Sequence, residues 1–248
     1  MDKYCIIKKR AMRISFRLIP TVFLITTYCI FCILTPVASG FGVKDTKHNL
    51  SITGPGPAQA TTEAGVCIFC HTPHNARLAT PLWNHELSEV EDYINYWSPT
   101  LKSYSSAAEA PPIDGFSKLC LSCHDGTVAL GAFVNRDDTV ETSPDYLTYG
   151  MEGYIGTDLS VGHPISIVFD SALVNLRNQD SKIMHLKWPV DDPHVKLYST
   201  QKGKGIQCTT CHDPHGGRGG IGAPPFWQKS THDEVCLVCH DIITPIGH

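Results

Sequence analysis

The stretch Cys208-Thr209-Thr210-Cys211-His212-Asp213-Pro214-His215 decides how the rest of the chain is read. Two thiols stand three positions apart, an imidazole follows at once, and a second imidazole lies three residues on, past a proline. Cys67-Ile68-Phe69-Cys70-His71-Thr72-Pro73-His74 repeats the arrangement. Plain C-x-x-C-H motifs follow at Cys120, Cys123, His124 and at Cys236, Cys239, His240. The four pairs use eight of the 11 cysteines, and the other three, Cys5, Cys29 and Cys32, lie within the first 39 residues. No cysteine of the remaining chain is left over for a disulfide. Histidine makes up 13 of the 248 residues, so four such placements by chance would occur on the order of once in 10⁵.

The spacing points to covalent haem c. One porphyrin presents two vinyl groups, and thiols one helical turn apart reach both while the adjacent histidine binds the iron as the proximal ligand. Zinc is the competing use of C-x-x-C, but it does not require a histidine directly after each pair. A thioredoxin-like motif needs a single pair in a βαβ setting, which this sequence lacks. The expectation is four covalent haems, held by Cys67, Cys70 and His71; Cys120, Cys123 and His124; Cys208, Cys211 and His212; and Cys236, Cys239 and His240. Beyond residue 39 only Met151 and Met184 remain, so methionine cannot supply four distal ligands. Repeat position nominates His48, His74, His163 and His215 instead, with His85 and His232 in reserve and His185, His194 and His248 as surface residues. His74 and His215, each past a proline, are expected to serve a haem other than their own.

The ligand order repeats twice: an upstream histidine (His48, His163), a C-H-x-P-H motif, then a plain C-x-x-C-H. The loops between do not repeat, since Cys67 to Cys120 is 53 positions and Cys208 to Cys236 only 28. Residues 40–150 and 151–248 are therefore expected as two pseudo-repeated dihaem units. Gly54-Pro55-Gly56-Pro57, Pro111-Pro112, Gly216-Gly217-Arg218-Gly219-Gly220 and Pro224-Pro225 break regular elements. The expected fold is mostly irregular and loop-rich, with a helical turn at each motif, short helices over Glu86–Tyr96 and Ser171–Asn178, and a short strand over Ile165–Phe169. Such a chain is poor in protein-only core, and with roughly 52 residues per haem the porphyrins themselves serve as core.

Lys8, Lys9, Arg10, Arg13 and Arg17 precede an apolar run from Leu18 to Leu34 and the small residues Ala38-Ser39-Gly40. Residues 1–39 read as a signal peptide, which places the protein in the periplasm or at the cell exterior. An uncleaved membrane anchor is the competing expectation, against which Pro20 and the short apolar run count. The full chain carries a formal charge of −4; this segment holds six basic residues and one acidic, so the remainder is −9. Nucleic acid, which is met by clustered Lys and Arg, is excluded as a partner.

At these residues the chain resembles the multihaem cytochromes c with doubled C-x-x-C-H motifs, abundant in metal-reducing bacteria. The likeness runs over residues 47–241 and takes in His48-Asn49-Leu50-Ser51, Pro81-Leu82-Trp83-Asn84, the Cys-His-Asp-Gly-Thr-Val-Ala-Leu-Gly run from Cys123, and Gly162-His163-Pro164-Ile165-Ser166. The resemblance implies electron transfer rather than catalysis, with redox proteins or an extracellular acceptor as partners. Some tetrahaem members polymerise into filaments in which one subunit lends a histidine to the next, which makes a homopolymer an expectation of the resemblance. Bis-imidazole ligation leaves no site for substrate. The alternative is a multihaem oxidoreductase with one open iron acting on a small nitrogen or sulfur compound. A quinol-oxidising membrane subunit is disfavoured, because Cys67 lies 33 residues after Leu34.

Overall fold

The computed structural model describes residues 42–76, 82–189, 191–217 and 226–241. Contacts along the chain divide it into Met1–Gly40 and Phe41–His248. The expected leader lies outside the described residues, as does His248. Among the described residues no helix is long and apolar enough to cross a membrane.

Regular structure is sparse, as the Gly and Pro content dictates. The helices are α1 (Gly115–His124), α2 (Ser171–Asn178), α3 (Cys208–Cys211) and α4 (His232–Cys239), with 3-10 turns at Val43–Asp45 and Ala107–Glu109. Strands β1 (Gln59–Ala60), β2 (Thr142–Ser143), β3 (Ile167–Val168), β4 (His185–Leu186), β5 (Tyr198–Thr200), β6 (Gly203–Ile206) and β7 (His240–Asp241) form three small antiparallel sheets, ordered β1-β2, β3-β6-β5 and β4-β7. The α2 helix has the expected bounds because Asp170 caps it, its carboxylate accepting from the Leu173 N–H at 2.8 Å. The expected strand within Ile165–Phe169 shortens to β3.

The helix expected over Glu86–Tyr96 does not form. Its backbone is pledged to other segments: the Glu86 N–H donates to the Ala132 carbonyl, the Ile94 N–H to Thr157, and the Ile94 carbonyl accepts from Leu159 N–H. Ile94 lies in a parallel bridge with Asp158. Long-range pairing outweighs a weak local helical pattern here.

Among the described residues three small apolar clusters stand in place of a single core, and each includes residues from or beside a C-x-x-C-H motif. Phe69 packs with Ala60, Phe133 and Val140, against which Ile68 and Cys70 lie. Leu121 joins Tyr93, Ile113 and Leu159. Cys239 joins Ile167, Phe169, Leu186 and Ile206, with Val238 against them. The residues between the paired cysteines thus anchor the motifs to the fold.

The two C-H-x-P-H loops share one local geometry. Asn84 N–H donates to the Cys70 carbonyl and Thr72 N–H to Leu82; Gln228 N–H donates to Cys211 and Asp213 N–H to Phe226. His71 bridges Trp83 and His212 bridges Trp227, both antiparallel. The equivalent residues Leu82 and Phe226 both take left-handed backbone, at φ 64° and 61°.

Candidate cofactor site

Each motif closes a single helical turn. The His71 N–H donates to the Cys67 carbonyl at 2.8 Å and His212 N–H to Cys208 at 3.0 Å. His240 N–H likewise donates to Cys236 at the end of α4, and Cys120 to His124 form the last turn of α1. On such a turn positions i and i+3 lie on one face, which sets both thiols toward the same body. At His212 and His240 the backbone turns extended, so each imidazole leaves the helix beside its two thiols.

Three of the four imidazoles that follow the cysteines stand opposite another imidazole, while His212 stacks on Trp227 with ring centroids 4.6 Å apart. His71 faces His215 with ring centroids 6.1 Å apart and planes 9° from parallel. His124 faces His48 at 6.0 Å and 74°. His240 faces His163 at 6.2 Å and 78°. Two imidazoles on opposite sides of one metal, each with a metal–nitrogen bond of about 2.0 Å and about 1.1 Å more to the ring centre, would have centroids about 6.2 Å apart. In a tetrahedral site the same bonds would give about 5.1 Å. The three separations match opposed axial ligation and not a zinc tetrahedron. Among the described residues no three His, Cys, Asp or Glu side chains converge to hold a metal by themselves.

At four of these histidines the Nδ1 lies beside an oxygen, whereas the Nδ1 of His240 is buried with no hydrogen-bond partner among the described residues. His48 Nδ1 lies 3.0 Å from the Pro214 carbonyl oxygen, His163 Nδ1 2.9 Å from that of Pro164, and His124 Nδ1 2.5 Å from that of Gly153. His215 Nδ1 is 3.3 Å from Asp213 Oδ1. A hydrogen bond at Nδ1 fixes the tautomer and leaves the Nε2 lone pair for a metal. His48 is held below its ordinary pKa chiefly by burial. Burial, then the neighbouring His163 and Arg177, bring His240 down to about 4. Both are therefore neutral and ligation-competent at physiological pH.

The remaining histidines differ. His85 is fully buried, and its Nδ1 and Nε2 lie 2.8 and 2.9 Å from the carbonyl oxygens of Glu86 and Ala129. Neither nitrogen is presented to a metal; the ring braces the second motif, 3.5 Å from Cys123 Sγ. His232 sits between Asp233 at 3.0 Å and Cys236 Sγ at 3.4 Å. His74 is exposed at the tip of the first C-H-x-P-H loop. His185, expected as a surface residue, has its Nε2 buried.

All eight cysteines of the described residues are free thiols. Burial pushes Cys70, Cys123 and Cys211 up to about 12 and Cys239 to about 11. Cys70 packs against the Phe69 cluster and Cys239 lies within the Ile167 cluster, so these sulfurs are neutral in an apolar setting, which suits thioether links to a porphyrin edge. Cys120 and Cys208 interact directly through their side chains, so the second and third motifs abut.

The donor set thus fits haem: paired neutral thiols on a helical turn, a proximal imidazole beside them, and an opposed imidazole at axial distance. A family model described as "Doubled CXXCH motif" matches residues 201–243, which hold the third and fourth motifs. No curated protein matches the chain. Over that stretch the chain is similar to c-type multihaem cytochromes, which supports covalently bound c-type haem and electron transfer as its general class.

Proposed function

We propose that the chain carries four covalent haems c, each with two axial imidazoles, and works as an exported electron carrier. The observation that carries this reading is the set of three opposed imidazole pairs at 6.0–6.2 Å. The ligand map assigns His215 to the first haem, His48 to the second and His163 to the fourth. The two C-H-x-P-H loops are locally equivalent, and His215 of the third motif faces His71 of the first. Exchange in the other direction assigns His74 to the third haem, opposite His212.

Bound haem iron supplies a one-electron couple whose potential bis-imidazole ligation lowers relative to His/Met. The protein's part is to fill both axial positions, which leaves no place for substrate, and to hold the motifs in contact. The first thiol pair neighbours the second through Cys70 and Cys123, Cys120 meets Cys208, and Cys211 neighbours Cys236 and Cys239. This order of neighbours runs through all four motifs and supports a continuous route for electrons along them. The contact of His48 with Pro214 of its own chain supports donation in cis and the carrier reading, with a filament as the second reading.

Intact mass after acid-acetone extraction, with the optical spectrum of the oxidised protein, tests the reading. Four retained haems, all low-spin, are expected. Three or fewer haems, or a high-spin iron in the native protein, would overturn it.

A further inference from the structure

The helices bearing the second and third motifs cap each other. Asp114 and Gln207 precede α1 and α3. The Asp114 side chain makes no cap bond to its own helix. Gln207 does so from the other side: its Oε1 accepts from the Ser117 N–H in the first turn of α1 at 2.8 Å. Ser117 returns the contact, its Oγ accepting from the Cys208 N–H at 3.1 Å. Gln207 Nε2 then donates to Asp114 Oδ1 at 2.8 Å, and Asp114 Oδ2 accepts from the Gln201 N–H at 2.6 Å. The Asp114 N–H donates to Ser166 Oγ at 3.0 Å.

The network is dry. Gln207 and Ser117 are 0 % exposed, Ser166 2 % and Asp114 9 %. Gly115 has φ +52°, and a Cβ there would lie 2.9 Å from the Ser199 carbonyl and 3.0 Å from Gln207 Nε2. Only glycine lets the two helix starts approach this closely. Helix N-termini must have their free N–H groups satisfied, and a buried group left without a partner costs about 1–3 kcal/mol. Using each helix to satisfy the other makes their relative placement part of the same requirement.

We infer that Gln207, with Ser117 and Asp114, is a positioning residue that sets the separation of the second and third haems, and with it electron passage between the first two motifs and the last two. The inference rests on the four-haem reading. Tunnelling between cofactors decays exponentially with their edge separation, so a joint fixed by buried hydrogen bonds controls the step that a single loop would leave loose.

The test uses holoprotein variants: Gln207→Leu, the milder Ser117→Ala, and the double variant Asp114→Asn/Gln207→Glu, which restores the bond with donor and acceptor exchanged. Haem count by intact mass comes first, since fewer than four in the wild type is a failure of the underlying reading, whereas four haems with unmoved midpoints is a failure of this one. Potentiometric titration and electron paramagnetic resonance then read the haems. In Gln207→Leu, two of the four midpoints and their mutual interaction should shift while the other two stay. Ser117→Ala should move the same pair less, and the double variant should return it toward wild type. If Gln207→Leu does not accumulate, Ser117→Ala and the double variant decide. A lowered unfolding midpoint with titration curves and resonance spectra superimposable on wild type would reduce the network to a structural brace and overturn the inference.

Discussion

His215→Ala separates the ligand map from a simple count of motifs. The imidazole removed lies three residues beyond His212, yet its ring faces His71 at 6.1 Å, close to the separation of about 6.2 Å for two rings sharing one metal. The variant should therefore open the first haem and leave the third intact. One iron of four becomes high-spin, so about a quarter of the haem absorbance should take on high-spin character. Trp83, edge-on to His71 at 6.4 Å, cannot take over, because an indole N–H does not ligate iron. Added imidazole should restore the low-spin spectrum by filling the vacated position. Combining His215→Ala with Cys67→Ala and Cys70→Ala should abolish the high-spin signal along with the haem that bears it, whereas combination with Cys208→Ala and Cys211→Ala should leave it. The opposite pattern would show that His215 serves its own motif and would refute the exchange.

Cys208→Ala with Cys211→Ala should lower the mass by one haem and reduce the unfolding midpoint broadly, because the described residues form three small clusters in place of one core; a midpoint equal to wild type would refute the haem-core argument. Ring planes 9° apart at His71·His215 predict a rhombic low-spin resonance, and planes 74° and 78° apart at the other two pairs predict strongly anisotropic signals with a large principal g value; four alike rhombic signals would contradict these geometries.

The chemistry of this chain was legible because it is local. Two thiols and an imidazole within five positions state the cofactor without reference to any other segment, and the helix expected over Ser171–Asn178 forms with those bounds. The nominated histidines were visible from repeat order, but their partners were not, since His48 meets His124 and His71 meets His215 only through the folded path. Glu86–Tyr96 misled because a helical pattern is judged within a window, whereas its backbone bonds reach Ala132, Thr157 and Leu159. The joint between Asp114 and Gln207 joins residues 93 positions apart and left no local trace. Leu82 and Phe226 adopt left-handed backbone although neither residue type favours it. The hint lay in the shared runs Pro81-Leu82-Trp83 and Pro225-Phe226-Trp227, which sit at different distances from their motifs.

The hydrogen bond from His48 Nδ1 to the Pro214 carbonyl bears on the order in which the molecule matures. One short segment, Asp213-Pro214-His215, orients the imidazole opposite His124 and contributes the imidazole opposite His71. On the proposed ligand map, the amino-terminal half leaves the ribosome first, yet its first iron has no sixth ligand, and the ring serving its second has no orienting carbonyl, until residue 215 has followed. The first haem must therefore wait, attached but incompletely ligated, for the later half to arrive. Truncation before that segment should yield a fragment whose first haem is open to exogenous ligands, while the sequence of each motif in it is intact.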